Sequence, residues 1–147
     1  MPPEADDAGR PTITPFLGAL VVIVIVVIAI GLFNLFRGDR LSEDQRVGQA
    51  AVGQNDALQR QDLADFRVYT CRELHGTEAD VLARQGDSVA KRGARFVDDV
   101  TNVVIDGDRA TAIVTYHFDK APEDNKGVEM TFAREDGAWK VCSPGPS

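Results

Sequence analysis

One stretch of the sequence, FLGALVVIVIVVIAIGLFNLF at residues 16–36, constrains the fold of the chain more than any other. These 21 residues carry no charge, and Asn34 is their one strongly polar side chain. As an α-helix the segment would reach roughly 30 Å, which matches the hydrocarbon thickness of a bilayer. A helix of this length in a soluble protein would normally show a polar face. We therefore predict a transmembrane helix over residues 16–36.

A cleaved signal peptide is the main alternative for an apolar segment near the N-terminus. The apolar region of a signal peptide is about 7–15 residues long and ends in small residues. This segment is longer and continues into Leu-Phe-Asn-Leu-Phe-Arg without an Ala-x-Ala site. We therefore predict an uncleaved signal anchor in the plasma membrane, with the lipid bilayer as its partner. Residues 1–15 hold four prolines and little to bury, so we predict a disordered cytoplasmic tail there.

Two signals disagree about the orientation of this anchor. One basic residue precedes it, Arg10, and three follow closely, so the positive-inside rule favours a cytoplasmic C-terminal domain. The only two cysteines, Cys71 and Cys142, suit an oxidising compartment if they form a disulfide. They could equally be two buried free thiols, which are common in protein cores. Because long domains translocate largely regardless of charge, we expect the C-terminal domain to be extracytoplasmic.

The remaining residues, 37–147, are enough for one domain with a single hydrophobic core. This part carries 15 Lys and Arg against 20 Asp and Glu. A nucleic-acid-binding domain would normally show a basic field, so we expect no nucleic acid partner. The small basic patch formed by Lys91, Arg92 and Arg95 fits the solvated end of a helix.

The first half of this domain shows helical signals. Ser42 and Gln45 form a capping-box pattern that begins a helix ending near Leu58. Asp62 and Thr77 are candidate caps of two further helices, the last ending near Gly93.

The second half alternates apolar and polar residues, which is typical of β-strands. We predict four strands at residues 96–105, 110–118, 128–133 and 138–143, with turns at Asp106-Gly107-Asp108 and Glu135-Asp136-Gly137. Three helices followed by a four-stranded antiparallel meander predict an α+β domain, with the helices on one side of the sheet.

The closing hairpin, Phe132-Ala133-Arg134-Glu135-Asp136-Gly137-Ala138-Trp139-Lys140-Val141-Cys142, and the order of elements resemble the nuclear transport factor 2-like superfamily. The chain also has an N-terminal anchor followed by the stretch from Asn55 to Cys71. In this order of features it is similar to single-pass membrane proteins of mycobacteria and related actinobacteria that carry a lumazine-binding-like domain. The resemblance covers about residues 41–143. It implies a cone-shaped fold with a curved sheet around a helix, a Cys71–Cys142 disulfide and an outward-facing domain. The superfamily includes enzymes and non-catalytic modules, so it does not imply one function.

No residue set in the sequence identifies a catalytic or metal site. Cys71, Cys142, His75 and His117 lack the paired spacing of a zinc site. Phosphate loops and dinucleotide fingerprints are absent from the sequence, so we assign no catalytic residue, metal or cofactor. In a cone fold, part of an aromatic and apolar core can line a cavity. The candidate lining residues are Phe66, Tyr116, Phe118, Met130, Phe132 and Trp139.

Three functions remain open from the sequence. The first is a non-catalytic membrane-anchored module of the cell envelope that binds a partner protein through an exposed apolar patch, or a small apolar ligand in an open cavity. The second is an isomerase or dehydratase in which Tyr116 works with an aspartate inside a pocket. The third is a structural envelope protein that assembles through its membrane helix, which lacks a Gly-x-x-x-Gly face.

Overall fold

A computed structural model describes residues 14–37 and 41–147. The chain divides into two compact units, one ending before Leu41 and the other spanning Leu41–Ser147. In the first unit, helix α1 covers Thr14–Arg37. Its segment Leu17–Leu35, with a mean hydropathy of 2.9, is long and apolar enough to cross a membrane, a property that signal sequences share. Most of the predicted N-terminal tail, residues 1–13, lies outside the described residues, and the 1–15, 16–36 and 37–147 boundaries stay predictions.

Three α-helices open the second unit, and each begins at a capping residue expected from the sequence. Helix α2 spans Glu43–Gln59, α3 spans Leu63–Tyr69 and α4 spans Glu78–Arg92. The capping box of Ser42 and Gln45 is complete, because each side chain accepts a hydrogen bond from the other's backbone N–H. The side chains of Asp62 and Thr77 cap α3 and α4. A short 3-10 helix, Arg72–Leu74, lies between α3 and α4 and has no sequence signal that we identified.

Four antiparallel strands follow, and they pair in the order β1-β2-β3-β4. Strand β1 spans Arg95–Asp106, β2 spans Arg109–Phe118, β3 spans Ala121–Glu135 and β4 spans Ala138–Val141. The predicted α+β class, with three helices before a four-stranded meander, is therefore confirmed. Strand β3 begins earlier than expected because Ala121 and Lys126 pair with β2 through the backbone, while their side chains stay exposed.

The core of this unit lies between α2 and the sheet. Alternate residues of β2, from Ala110 to Phe118, are buried, as the period-two pattern predicts. Small side chains of α2 allow the helix to approach this apolar face closely. The core consists of Val47, Ala50, Ala51, Ala110, Ala112, Val114, Tyr116, Met130, Phe132, Trp139 and Val141.

The hairpin between β3 and β4 shows how local chemistry sets the topology. Asp136 and Gly137 have φ angles of 52° and 78°, the left-handed pair that a type I′ turn requires. Glycine adopts this conformation without strain, and aspartate tolerates it better than most residues. The turn sets Trp139 opposite Arg134, and the Arg134 guanidinium lies over the indole ring at 4.8 Å.

Candidate ligand pocket beside Arg95

A pocket with a volume of about 170 Å³ opens between the helices and the residues that follow β4. We call it the Arg95 pocket. Its apolar wall comes from the helical half of the domain, and its polar groups come from α2, the end of α3, α4, the start of β1 and residues 143–147. The lining residues are Gln54, Leu58, Phe66, Thr70, Leu74, Val81, Arg84, Gln85, Ser88, Arg95, Ser143, Pro144, Gly145, Pro146 and Ser147.

Arg95 is the most unusual of these residues, since it is a cation with only 7% of its surface exposed. A reciprocal pair of hydrogen bonds fixes it to α2. Its Nε donates to Oδ1 of Asn55 at 2.8 Å, and Nδ2 of Asn55 donates to the Arg95 carbonyl at 2.9 Å. Asn55 is itself buried, so this pair aligns the start of β1 against the helix and holds the guanidinium in one place.

The guanidinium contacts both an aromatic ring and the backbone. The centroid of the Tyr116 ring lies 4.8 Å from its Cζ atom. Gly145 is also close, since a Cβ atom there would stand only 2.5 Å from Nη1 and 3.2 Å from Nη2. Nη1 donates to the carbonyl of Pro146 at 2.6 Å. Within the described residues, Nη2 is the one buried side-chain nitrogen or oxygen without a hydrogen-bond partner.

Burial has opposite effects on the two facing groups. Desolvation lowers the pKa of Arg95, because it disfavours the charged form, and Tyr116 partly offsets this effect. Desolvation likewise raises the pKa of Tyr116, while the nearby Arg95 charge lowers it in part. An anion beside Nη2 would compensate the charge of Arg95 that the described residues leave without a carboxylate partner.

Residues 143–147, which we call the closing segment, form one wall of the pocket. At its start, Oγ of Ser143 accepts a hydrogen bond from the backbone N–H of Thr131 at 2.6 Å. At its other end, Arg92 donates to the main-chain oxygen of Ser147 at 2.7 Å. Together with the Arg95–Pro146 bond, these contacts place the segment directly over the guanidinium.

The charge of the pocket is opposite to that of the domain around it. Its lining includes two guanidinium groups, Arg84 and Arg95, and no Asp or Glu side chain. It also contains no His, Cys, Lys or Tyr, so its lining lacks the usual general bases of enzymes. The arrangement can hold a polar or anionic group next to an apolar wall.

Of the six residues that we expected to line a cavity, one lines the Arg95 pocket and five are buried in the core. Phe66 lines the Arg95 pocket. The other five, Tyr116, Phe118, Met130, Phe132 and Trp139, are buried, with exposed fractions of 5% or less. They belong to the buried core, and whether a ligand reaches any of them stays a prediction.

The isomerase alternative needs an aspartate beside Tyr116, and the two adjacent aspartates of β1, Asp98 and Asp99, make their recorded contacts elsewhere. Asp98 lies on the outer side of the sheet, where its carboxylate contacts Nδ1 of His117 at 2.7 Å. Asp99 accepts a hydrogen bond from the next backbone N–H, that of Val100. Among the residues that the structure describes, the charge recorded beside the Tyr116 ring is the Arg95 guanidinium.

The two cysteines come together as a disulfide-distance pair, with their Cα atoms 5.0 Å apart. This separation is within the range of protein disulfides. A carboxylate oxygen of Glu73 lies within 4.8 Å of both sulfur atoms. Only reduced thiols could act with Glu73 as metal ligands, because bonded sulfurs do not provide thiolates. The expectation of no metal site therefore stays a prediction.

The sequence analysis missed Arg95 as a pocket residue. We placed it with Lys91 and Arg92 in a solvated patch, but its side chain is buried. The partners that bury it, Asn55 and Pro146, lie 40 and 51 residues away in the chain. No local pattern carries that information. The one available signal was the position of a lone basic residue directly before an apolar strand.

Comparison with known proteins gives one family match. Residues 72–143 match the family model described as low molecular weight antigen MTB12, C-terminal domain. This match spans just under half of the chain, from the 3-10 helix to the residue after Cys142, and includes Arg95. No curated protein matches the chain.

Two solved structures of bacterial proteins are also similar. A proposed NTF2-like transpeptidase from Campylobacter jejuni shares 17% identity, with a TM-score of 0.48, over 66% of this chain and 97% of its own. A proposed dehydratase of the NTF2-like family from Streptomyces avermitilis shares 18% identity, with a TM-score of 0.46, over 67% of this chain and 90% of its own. Both TM-scores are below 0.5, so neither likeness contributes to the functional argument.

Proposed function

We propose that this protein is a non-catalytic binding module of the cell envelope, with an NTF2-like domain that holds a small ligand in the Arg95 pocket. The observation that carries the proposal is the buried guanidinium in the pocket wall, with Nη2 left without a partner among the described residues. A buried polar group without a partner is costly. Binding a ligand there would supply the missing interaction.

The absence of proton-transfer groups from the pocket lining supports binding over catalysis. General acid–base chemistry needs a titratable side chain within hydrogen-bond reach of the substrate, and the lining offers only hydroxyls, amides and guanidiniums. The isomerase alternative required a carboxylate beside Tyr116, and the structure records Arg95 beside that ring. We therefore propose no reaction for this pocket.

A small ligand is also better supported than an apolar docking surface for a partner protein. The exposed large apolar residues of the domain are spread over α2, α3, α4 and β1, among them Val52, Val68, Val89 and Phe96. Single exposed apolar residues are normal on protein surfaces. Among the described residues, no exposed apolar surface supports binding of a partner protein as strongly as the Arg95 pocket supports binding of a small ligand.

The proposed location follows from α1 and the cysteines. Helix α1 would anchor the chain in the plasma membrane, with the N-terminus in the cytoplasm and the domain outside. The disulfide-distance pair of Cys71 and Cys142 supports this orientation, because stable disulfides form mainly in oxidising compartments. The orientation remains opposed by the distribution of basic residues around the helix.

Native mass spectrometry of the full chain, released from detergent micelles, tests the binding function. We expect the protein purified from its own cells to carry a small-molecule adduct. The variant Ser88→Phe should lose the adduct because it fills the pocket, whereas Ala83→Phe, on an exposed position of the same helix, should keep it. An adduct that survives Ser88→Phe, or a wild type without any adduct, would contradict the proposal.

Thiol labelling in intact cells tests the location. Free thiols are blocked without reduction, and the purified protein is then weighed before and after reduction and a second labelling. Two labels that appear only after reduction would support a Cys71–Cys142 bond and an exported domain. Two thiols blocked at the first step would place the domain in the cytoplasm instead.

A further inference from the structure

We infer that the ligand of the Arg95 pocket is a small organic anion, a carboxylate with a short apolar body, and that it binds by displacing the closing segment from Arg95. This inference rests on the proposed binding function and names the ligand class and the way in which the pocket opens. It is drawn from the partners of one guanidinium and from the composition of the pocket wall.

The charge of the ligand follows from Arg95. Each of its nitrogens can donate, and Nε and Nη1 already donate to uncharged oxygens, those of Asn55 and the Pro146 carbonyl. No carboxylate neutralises this cation within the described part of the chain, whereas exposed arginines of the same domain, such as Arg60 and Arg72, have acidic partners. A carboxylate matches a guanidinium edge in geometry and charge.

The body of the ligand follows from the opposite wall and the size of the pocket. Leu58, Phe66, Leu74 and Val81 give the pocket an apolar side. A volume of about 170 Å³ is below the roughly 300–1,000 Å³ of pockets that hold drug-sized ligands. The occupant is therefore an acid with a short aliphatic chain. Inorganic phosphate would use the guanidinium but leave the apolar wall without a contact.

The mode of entry follows from the closing segment. Arg95 lines the pocket, but its Nη2 atom is shut off from solvent, and Gly145 lies against the guanidinium. The Pro146 carbonyl accepts the hydrogen bond that a ligand oxygen would accept. A carboxylate that pairs with Arg95 therefore takes the place of this carbonyl, and the far end of the closing segment, around Pro146, must move away for it to enter.

Isothermal titration calorimetry on the full chain in detergent micelles tests the ligand class. The probes are butyrate, its uncharged counterpart butyramide, and inorganic phosphate. We expect butyrate to bind saturably and at least about tenfold more tightly than butyramide or phosphate. Equal binding of butyrate and butyramide would overturn the anionic class and leave the binding function intact. Tighter binding of phosphate would overturn the apolar body, and no binding of butyrate would overturn the inference as a whole.

Two substitutions test whether the binding of butyrate measured by calorimetry depends on Arg95. Arg95→Gln removes the cation and should weaken butyrate binding at least about tenfold. Arg109→Gln makes the same change of charge at an exposed position outside the pocket and should leave binding unchanged. An equal loss in both variants would mean that only the net charge matters, which would overturn the role of Arg95.

A third substitution tests the opening and stays informative if Arg95→Gln fails to fold. Gly145→Ala keeps the cation but puts a methyl group against Nη1, so the closing segment should leave the guanidinium. Because ligand and segment compete for Arg95, we expect butyrate to bind several-fold more tightly to this variant. Unchanged or weaker binding would overturn displacement. Native mass spectrometry of the adduct reports separately on the proposed function, because it does not depend on the probe.

Discussion

Alanine at two glycines of α2 should change the stability of the domain in opposite directions. At Gly48, a Cβ atom would meet the Val100 side chain at 3.8 Å, an ordinary contact distance. At Gly53, it would lie 2.7 Å from three ring atoms of Tyr69, closer than atoms of folded proteins approach. The packing of α3 on α2 therefore requires a residue without a side chain at Gly53.

The magnitudes follow from two competing effects. Alanine is favoured over glycine inside a helix by about 1 kcal/mol. Overpacking a well-filled site costs about 1–3 kcal/mol, and the half-buried ring of Tyr69 can give way in part. We expect Gly48→Ala to raise the free energy of unfolding by about 0.5–1 kcal/mol. Gly53→Ala should lower it by about 1 kcal/mol.

Urea unfolding of the full chain in micelles measures both effects, with the fluorescence of the buried Trp139 as the signal, since this is the only tryptophan. The decisive measurement repeats Gly53→Ala in a Tyr69→Ala background. Without the ring, the substitution should stabilise the domain by about 1 kcal/mol, as helix propensity requires. If Gly53→Ala stabilises the protein with the ring present, or destabilises it equally without the ring, the steric argument is refuted.

Three further predictions concern stability. Replacing Cys71 and Cys142 by serine should lower the free energy of unfolding by about 4 kcal/mol, since the bond closes a loop with a sequence separation of 71; urea midpoints with and without reductant give the comparison, and equal midpoints would contradict it. Glu43 accepts a hydrogen bond from the Trp139 side chain, and this bond lowers the pKa of Glu43 from 4.5. Glu43→Gln should therefore lower the free energy of unfolding by its full amount near neutral pH. The difference between the two proteins should disappear as the pH falls through the lowered pKa, because Glu43 is then protonated. A difference between the two proteins that persists at low pH would exclude this cause. Asn55→Ala should destabilise the domain by about 2 kcal/mol by leaving buried polar atoms unpaired, whereas an unchanged urea midpoint would show that water replaces these bonds.

The sequence predicted those parts of the fold that depend on neighbouring residues. A capping box needs Ser42 and Gln45 three positions apart, and a type I′ turn needs Asp136 and Gly137 in succession. The period of apolar residues in β2 fixed its buried face in the same way. Each of these features depends on residues close together in the chain, so it can be predicted without knowledge of the tertiary structure.

The pocket depends on contacts that are remote in the chain, which is why its main residue was misplaced. Whether Arg95 is solvated or buried is decided by α2 and by residues 143–147. The first half of β3 escaped prediction for a related reason, because its pairing with β2 uses backbone groups and gives no apolar alternation. The aromatic residues of the core were recognised as a group, but the pattern could not distinguish packed core from pocket wall.

The closing segment is held at its two ends by different interactions. The pocket can therefore open at one end without lowering the free energy of unfolding of the domain. Its start follows Cys142 and is fixed to β3 through Ser143. Its far end is held by two arginine hydrogen bonds to the main-chain oxygens of Pro146 and Ser147. A hydrogen bond to a charged group contributes about 1.5–3 kcal/mol, and freeing each residue regains about 1–2 kcal/mol of backbone entropy.

Release of the far end alone should therefore cost only a few kcal/mol, which corresponds to an open form at roughly 0.1–10% of the population. A ligand that occupies Arg95 has to offset only that cost, and the Cys71–Cys142 pair keeps its place while the far end opens. Substitution of Gly145 should accordingly change the affinity with little change in the urea midpoint. Loss of the cysteine pair should change the midpoint far more than the affinity, because it acts on the fixed end of the segment.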